Sequence, residues 1–227
     1  MKNVEKDFKL FARDHKISSM GLHQYQNAQT KAQTPYIMEE RQLNVSQIDV
    51  FSRLMMERII WLSGPVEDFN STVIQAQLMY LESISEKKDI TIHCDSPGGL
   101  VSGGKKVISI MDYISCDVAT INTGLCASMG AVILAAGEKK KRGGLKYSKT
   151  MIHASSGGAV GNIHDARITM QEWEKENKEL FEMLGDYCGK PVDDVEKDAE
   201  RDKWLNVKEA KAYGLIDFEV KSKPKKK

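Results

Sequence analysis

No stretch of this sequence approaches the roughly twenty consecutive apolar residues that a membrane-spanning helix needs. Charge of one sign is missing as well. The 33 Lys and Arg stand against 32 Asp and Glu, for a net +1, so the balance gives no general pull toward nucleic acid or an anionic membrane. The four cysteines, Cys94, Cys116, Cys126 and Cys188, form no C-x-x-C pair and no zinc-ribbon spacing. Three of them sit among apolar or small residues, so they read as reduced thiols that pack as small hydrophobes. The segment Met1–Met20 mixes Lys, Asp, Glu and Phe without the apolar run of a signal peptide, and its acids argue against a transit peptide. These absences predict a cytoplasmic protein that engages neither nucleic acid nor membrane.

What is present suits one domain with a short extension: 227 residues, of which 41% are hydrophobic, enough for a substantial core. Residues 1–31 are polar and mixed in charge, and Gln24–Thr34 is rich in Gln, Asn, Ala and Thr, so this part reads as an N-terminal extension or pro-segment. A single folded domain is expected over 32–220. Residues 221–227 form a basic tail, read as solvated and disordered because no aromatic residue interrupts its lysines.

Within the domain, apolar spacing predicts a helix over Ile48–Met56, a buried strand over Arg58–Leu62, and an amphipathic helix over Asn70–Ser85. A strand follows over Asp89–Cys94, then a helix over Leu100–Ile114, a strand over Asp117–Asn122, and a short apolar helix over Ala131–Ala136 stopped by Gly137. This alternation argues for parallel strands joined by right-handed crossovers. A further strand is expected over Lys149–His153. Then come a soft segment with Gly157, Gly158 and Gly161, and a long helix from about Ile163 to Tyr187, striped with Met170, Trp173, Leu180, Phe181 and Leu184. Asn206 with Glu209 predicts a capping box for a helix to Tyr213, and Leu215–Ile216 a last strand.

Chemistry centres on Gly124–Ala131. Ser128 falls at a strand-to-helix turn, where unpaired backbone N–H groups and the helix dipole favour negative charge, so an oxyanion formed beside it would lie near those donors. The flanking pattern is not G-x-S-x-G, because Cys126 replaces the first glycine. Ser128 can therefore be a nucleophile or simply a packing and capping residue. Among five histidines, His15 and His23 lie in the polar extension and His164 opens a polar helix. His93 neighbours Cys94 and Asp95 on alternating faces of a strand, so the three do not converge on a metal. His153 ends an apolar strand and opens a flexible loop, a placement that suits a general base as well as a core-edge histidine. For the carboxylate, Asp193, Asp194, Asp198 and Asp202 are not separable by spacing. In Ser96–Pro97–Gly98–Gly99 the proline fixes φ and the glycines permit close backbone approach; an N–H there could face an oxyanion or a coenzyme A thioester carbonyl, or the turn could be an ordinary one.

Taken in order, Ser96–Gly99, Gly124 with Ala127–Ala131, Met151–His153 and Glu200–Leu205 resemble the proteolytic subunit of the Clp protease. The resemblance runs from about Pro35 to Asp217 and includes Pro35–Glu40 and Asp49–Leu54. It implies an α/β, crotonase-like spiral of βαβ units with a projecting strand-and-helix handle, here about 154–188. It implies a homo-oligomer of two stacked heptameric rings enclosing a chamber, and an AAA+ Clp unfoldase that delivers unfolded protein substrates. By position, Ser128 resembles the nucleophile, His153 the base and then acid, and Asp202 the residue that holds the imidazole. The backbone N–H groups of Gly99 and Met129 resemble the oxyanion hole, Arg201 a ring–ring contact, and Tyr113, Ile121 and Leu145 part of the unfoldase docking pocket. No metal or organic cofactor is implied, since ATP is used by the partner.

The sequence also departs from that pattern. Ala154–Ser155 stand where Gln-Pro usually follows the histidine, and Lys146 where proline is common. Thr91, His93 and Gly143 occupy pocket positions that are usually aromatic or apolar, which implies weaker docking. Two other readings stay in view: a non-catalytic or weakly active subunit of a mixed ring, and an acyl-CoA enzyme of the same architecture.

Overall fold

The computed structural model describes residues 36–41, 44–159 and 161–221. The extension over 1–31, with His15 and His23, and the tail beyond Lys221 lie outside the described residues. The chain divides into two compact units after Arg53.

In the first unit, β1 (Tyr36–Arg41) and β2 (Asn44–Asp49) form an antiparallel hairpin, with Tyr36 opposite Asp49 and Arg41 opposite Asn44. The helix expected from Ile48 starts instead at Val50 as α1 (Val50–Met56), because Ile48 and Asp49 belong to the hairpin ladder. Asp49 then caps that helix. Its carboxylate accepts from the N–H groups of Phe51 and Ser52 and from the Ser52 hydroxyl. The Ser52 bonds hold the Asp49 carboxyl below its ordinary range.

The second unit alternates β3 (Ile59–Ser63), α2 (Asp68–Ile84), β4 (Ile90–Ser96), α3 (Val101–Tyr113), β5 (Val118–Ala127) and α4 (Met129–Ala135). β3, β4 and β5 are parallel and adjacent in that order. Successive right-handed crossovers to the next strand on the same side put each connecting helix on one face. On that face Ile60, Leu62, Ile90, Ile92 and Cys94 are almost completely buried and join the core with Leu78, Val107, Ile133 and Leu134. Alternate residues point the other way and are only half-buried, among them Trp61, His93 and Ile121.

The C-terminal end of α2 is closed by a side chain from the turn that precedes β3. Arg58 donates to the carbonyl oxygens of Leu81, Ser85, Lys88 and Asp89. These carbonyls lie at a helix end and its following turn, where intrahelical donors run out; Leu81 O also accepts from Ser85 N, and Ser85 O from the Cys116 thiol.

β5 is longer than its apolar run suggests and continues through Gly124 to Ala127. Its first half pairs β6 (Arg142–Gly144), an element the sequence reading did not identify, and β6 pairs β9 (Phe218–Glu219). Its second half pairs β7 (Lys149–Ile152), which pairs antiparallel with β8 (Lys203–Asn206), also unforeseen. The final strand was expected to be led in by Leu215–Ile216. Those residues are buried core, and the ladder forms two residues later. The fork in β5 is held by Asn122, almost fully buried, whose amide donates to Lys149 O and Thr150 Oγ1 while its Oδ1 accepts from Gly124 N.

α5 (Ile163–Cys188) is capped at its start by Asn162 and stopped by Gly189 in the left-handed region. Only Leu180, Phe181, Leu184 and Gly185 along it are buried. The expected stripe stops short of Met170, which is 40% exposed, as Ile163 and Ile168 are to a larger degree. Residues 154–159 form no strand, so no strand precedes α5 among the described residues of the region expected to form a strand-and-helix handle. α6 (Val192–Ala199) and α7 (Val207–Tyr213) follow, and α7 carries the expected capping box of Asn206 and Glu209.

Buried Arg142 ties these later elements together. Its Nε and Nη2 donate to the Asp217 carboxylate, and its Nη1 to the carbonyls of Ala135 and Tyr187. Burial alone would raise the Asp217 carboxyl. The Arg142 guanidinium and backbone N–H outweigh that effect and hold it below the usual carboxylate range.

Candidate active site

Ser128 links β5 to α4 with φ 53° and ψ −127°. A non-glycine residue there stores strain of about 1–3 kcal/mol, held only because its surroundings over-determine it. They do so here on two sides. Ser128 N donates to Met151 O at 2.8 Å, which fastens the turn to β7. Beneath it, a Cβ on Gly98 would stand 2.6 Å from both Ala127 O and Ser128 Cβ, so only glycine admits the approach. Gly98 and Leu100 are in turn bonded to Val66, through Val66 N to Gly98 O and Leu100 N to Val66 O. Among the described residues, neither the Gly99 N–H nor the Met129 N–H donates to a protein acceptor. Met129 is the first residue of α4, where helix geometry leaves the amide unpaired.

His153 and Asp202 meet by strand register. Ile152 lies opposite Lys203 in the antiparallel β7–β8 ladder, so the next residues outward, His153 and Asp202, stand side by side. His153 Nδ1 lies 3.3 Å from Asp202 Oδ1, with the imidazole 22% exposed and the carboxylate 59% exposed. The start of β8 is anchored by Lys203 Nζ, 2.6 Å from Asp198 Oδ1, and that contact holds the Asp198 carboxyl below its usual range. Of the four aspartates inseparable by spacing, Asp202 reaches the histidine, Asp198 pairs with a lysine, and Asp193 and Asp194 lie in the first turn of α6.

Ser128 and His153 line one cavity of about 30 Å³, together with Ser155 and an apolar wall that includes Met129, Val132 and Phe181. Met129 was named in the sequence reading for its backbone N–H, but Val132 and Phe181 escaped it as cavity residues, because an apolar side chain in a helix signals burial alone. Asn122 also escaped it, although a polar residue at an inward-facing strand position is the signal that could have found it.

The remaining predicted residues lie elsewhere. Arg201 is exposed beside Asp202. Tyr113, 75% exposed, ends α3, and Leu145, 38% exposed, follows β6. Ile121 belongs to a row formed by strand register on the helix-free face: Trp61, His93, Ile121, Gly143 and Phe218 are successive partners across β3, β4, β5, β6 and β9. The Trp61 and His93 rings meet edge-on at 4.9 Å, and burial pushes the His93 imidazole pKa down. Cys94, Cys116 and Cys126 are buried free thiols, as their apolar neighbours suggested. Among the described residues no His, Cys, Asp and Glu cluster could hold a metal ion, and no helix is long and apolar enough to cross a membrane.

Comparison with known proteins identifies the family. The Clp protease family profile matches residues 41–223. A protein of Porphyromonas gingivalis named "ATP-dependent Clp protease proteolytic subunit" is 48% identical over 212 residues, covering 93% of this chain and 96% of that protein. Proteins of the same name from Bacteroides fragilis and Bacteroides thetaiotaomicron are each 47% identical over the same length. With its match spanning nearly the whole folded chain, and relatives close to half identical across it, this chain belongs to the Clp protease family.

Proposed function

We propose that this chain is the serine endopeptidase subunit of an ATP-dependent Clp system and hydrolyses unfolded polypeptide through an acyl-enzyme on Ser128. The observation that carries the assignment is the β7–β8 register, which sets His153 against Asp202 while the imidazole shares a cavity with the strained Ser128. In this reading Asp202 accepts from His153 Nδ1–H and fixes the tautomer, which leaves Nε2 to take the Ser128 proton. Ser128 Oγ then attacks the scissile carbonyl, and the N–H groups of Gly99 and Met129 receive the oxyanion. The imidazolium protonates the leaving amine. Water attacks the acyl-enzyme with His153 again as base, and the serine is restored. These steps draw on the chain's own groups, and ATP enters through the partner unfoldase.

The family resemblance supports assembly as two stacked heptameric rings, with α5 as the projecting handle and Arg201 bridging the rings. The AAA+ Clp unfoldase docks on the outer face at Tyr113, Ile121 and Leu145. His93 and Gly143, in the same row as Ile121, offer less apolar area than the aromatic residues usual there, so docking is weakened. Cytoplasmic placement accords with four unpaired cysteines. We read residues 1–31 as a pro-segment and 32–220 as the protease domain.

A fluorophosphonate probe tests the assignment. The wild-type assembly is expected to label once per chain, and Ser128→Ala to lose the label. An intact assembly that never labels would instead make this chain a non-catalytic subunit of a mixed ring.

A further inference from the structure

The segment leaving His153 is tied down residue by residue. Ala154 N donates to Ala199 O at 2.7 Å, at the C-terminal end of α6. Ser155 N donates to Asn177 Oδ1 at 2.9 Å, and the Ser155 hydroxyl donates to the same oxygen at 3.0 Å. That hydroxyl also accepts from Trp173 Nε1 at 2.6 Å. A backbone N–H can only donate, so the Asn177 atom facing it is the carbonyl oxygen, and the direction of each bond in the group is fixed. A Cβ on Gly157 would come within 3.2 Å of the Trp173 ring, so the same indole also bounds the segment two residues further on. Trp173, Glu176 and Asn177 are half-buried positions on a helix whose first half is otherwise largely exposed. Both Trp173 and Asn177 meet this segment.

Ser155 also lines the cavity shared by Ser128 and His153. We propose that Ser155, clasped by Trp173 and Asn177, is a positioning residue that couples the projecting helix α5 to the orientation of His153. The proposal rests on the catalytic reading given above and names a residue that serves it. Proline, the residue usual at this place in the resemblance, has neither the N–H nor the hydroxyl that the clasp uses. The clasp is therefore a device this chain possesses through Ser155. A shift of the segment would swing the imidazole relative to the serine, and small misplacements of a base slow the chemical step without weakening substrate binding.

The test uses the full-length assembly, with a short fluorogenic peptide and the fluorophosphonate probe. Ser155→Ala is expected to lower kcat and the labelling rate by about tenfold, with KM held within about twofold. Trp173→Phe keeps an aromatic ring, though a smaller one, loses the N–H, and gives a similar loss. The double variant is no slower than the worse single one, because both break one unit. Ser155→Thr keeps the hydroxyl and recovers most of the rate. Melting temperature and particle size are recorded for every variant. Wild-type kcat in both single variants overturns the clasp, as do losses that multiply in the double variant. A kcat loss that appears only with a dissociated particle also overturns it, since the residue is then merely structural. A wild-type assembly that neither labels nor cleaves overturns the protease reading and the clasp together. Wild-type labelling with an unaffected Ser155→Ala overturns the clasp alone.

Discussion

At the scale of single residues, the site is built from backbone positions that tolerate no ordinary side chain or that strain the one they hold. Ser128 keeps a positive φ that glycine would adopt freely. Ser128→Gly is therefore expected to stabilise the fold by about 1 kcal/mol while removing the proposed nucleophile, a gain readable by denaturant unfolding alongside lost fluorophosphonate labelling. Unchanged or lowered stability would mean that the turn is not strained. Gly98 is the converse case. Gly98→Ala forces a methyl against Ala127 O and Ser128 Cβ, and is expected to cost about 1–3 kcal/mol and to abolish peptide cleavage by displacing the turn. Asp202→Asn leaves the ladder intact and removes the acceptor that fixes the His153 tautomer in the proposed mechanism. By analogy with other serine hydrolases kcat is expected to fall about 10⁴-fold, with assembly unchanged by size-exclusion chromatography.

At the scale of elements, each proposed catalytic group is placed by the end of a strand or the start of a helix. β5 delivers Ser128, β7 delivers His153, and the β4–α3 turn delivers Gly98 and Gly99. Periodicity revealed β3, α2, β4 and α3 to within a residue or two, because each has one face buried against a continuous core and its apolar residues repeat at the element's own period. The β6 and β8 strands stayed hidden for an equally physical reason. Arg142–Gly144 contains a buried arginine and two glycines, and Lys203–Asn206 alternates poorly, so neither carries a strand pattern. Their pairing is imposed by neighbours. The helix α7 shows what local chemistry can reveal, since Asn206 and Glu209 announce its start. Asn206→Ala is expected to cost about 1 kcal/mol in thermal or denaturant unfolding, with the labelling rate of Ser128 unaffected.

At the scale of the whole molecule, Arg142 and Asp217 join β6, the end of α4, the end of α5 and the approach to β9. Asp217→Asn leaves a buried guanidinium without its counter-charge and is expected to cost about 3–5 kcal/mol. The same pair sets an acid limit. The Asp217 carboxyl is depressed in the folded state, so its contribution is complete above the unfolded value near pH 4 and is lost as pH falls through the lower folded value. Unfolding measured below about pH 4 should show a steeper loss in the wild type than in Asp217→Asn. In the proposed double-ring assembly, Arg201→Ala is expected to separate paired rings into single ones by native mass spectrometry. Retention of the full particle would remove Arg201 from that role.

The sequence alone determined the alternation of strands and helices, the candidacy of Ser128 and His153, and the glycine turn at Gly98, because these follow from local periodicity and backbone sterics. Ordered motifs added Asp202 through a family resemblance. Only the tertiary structure decided which of four aspartates lies beside His153, how β5 forks around Asn122, and that Ser155 is held by Trp173 and Asn177. Those contacts join residues distant in the chain, and their partners are chosen by strand register and helix packing, which no local stretch of sequence encodes by itself.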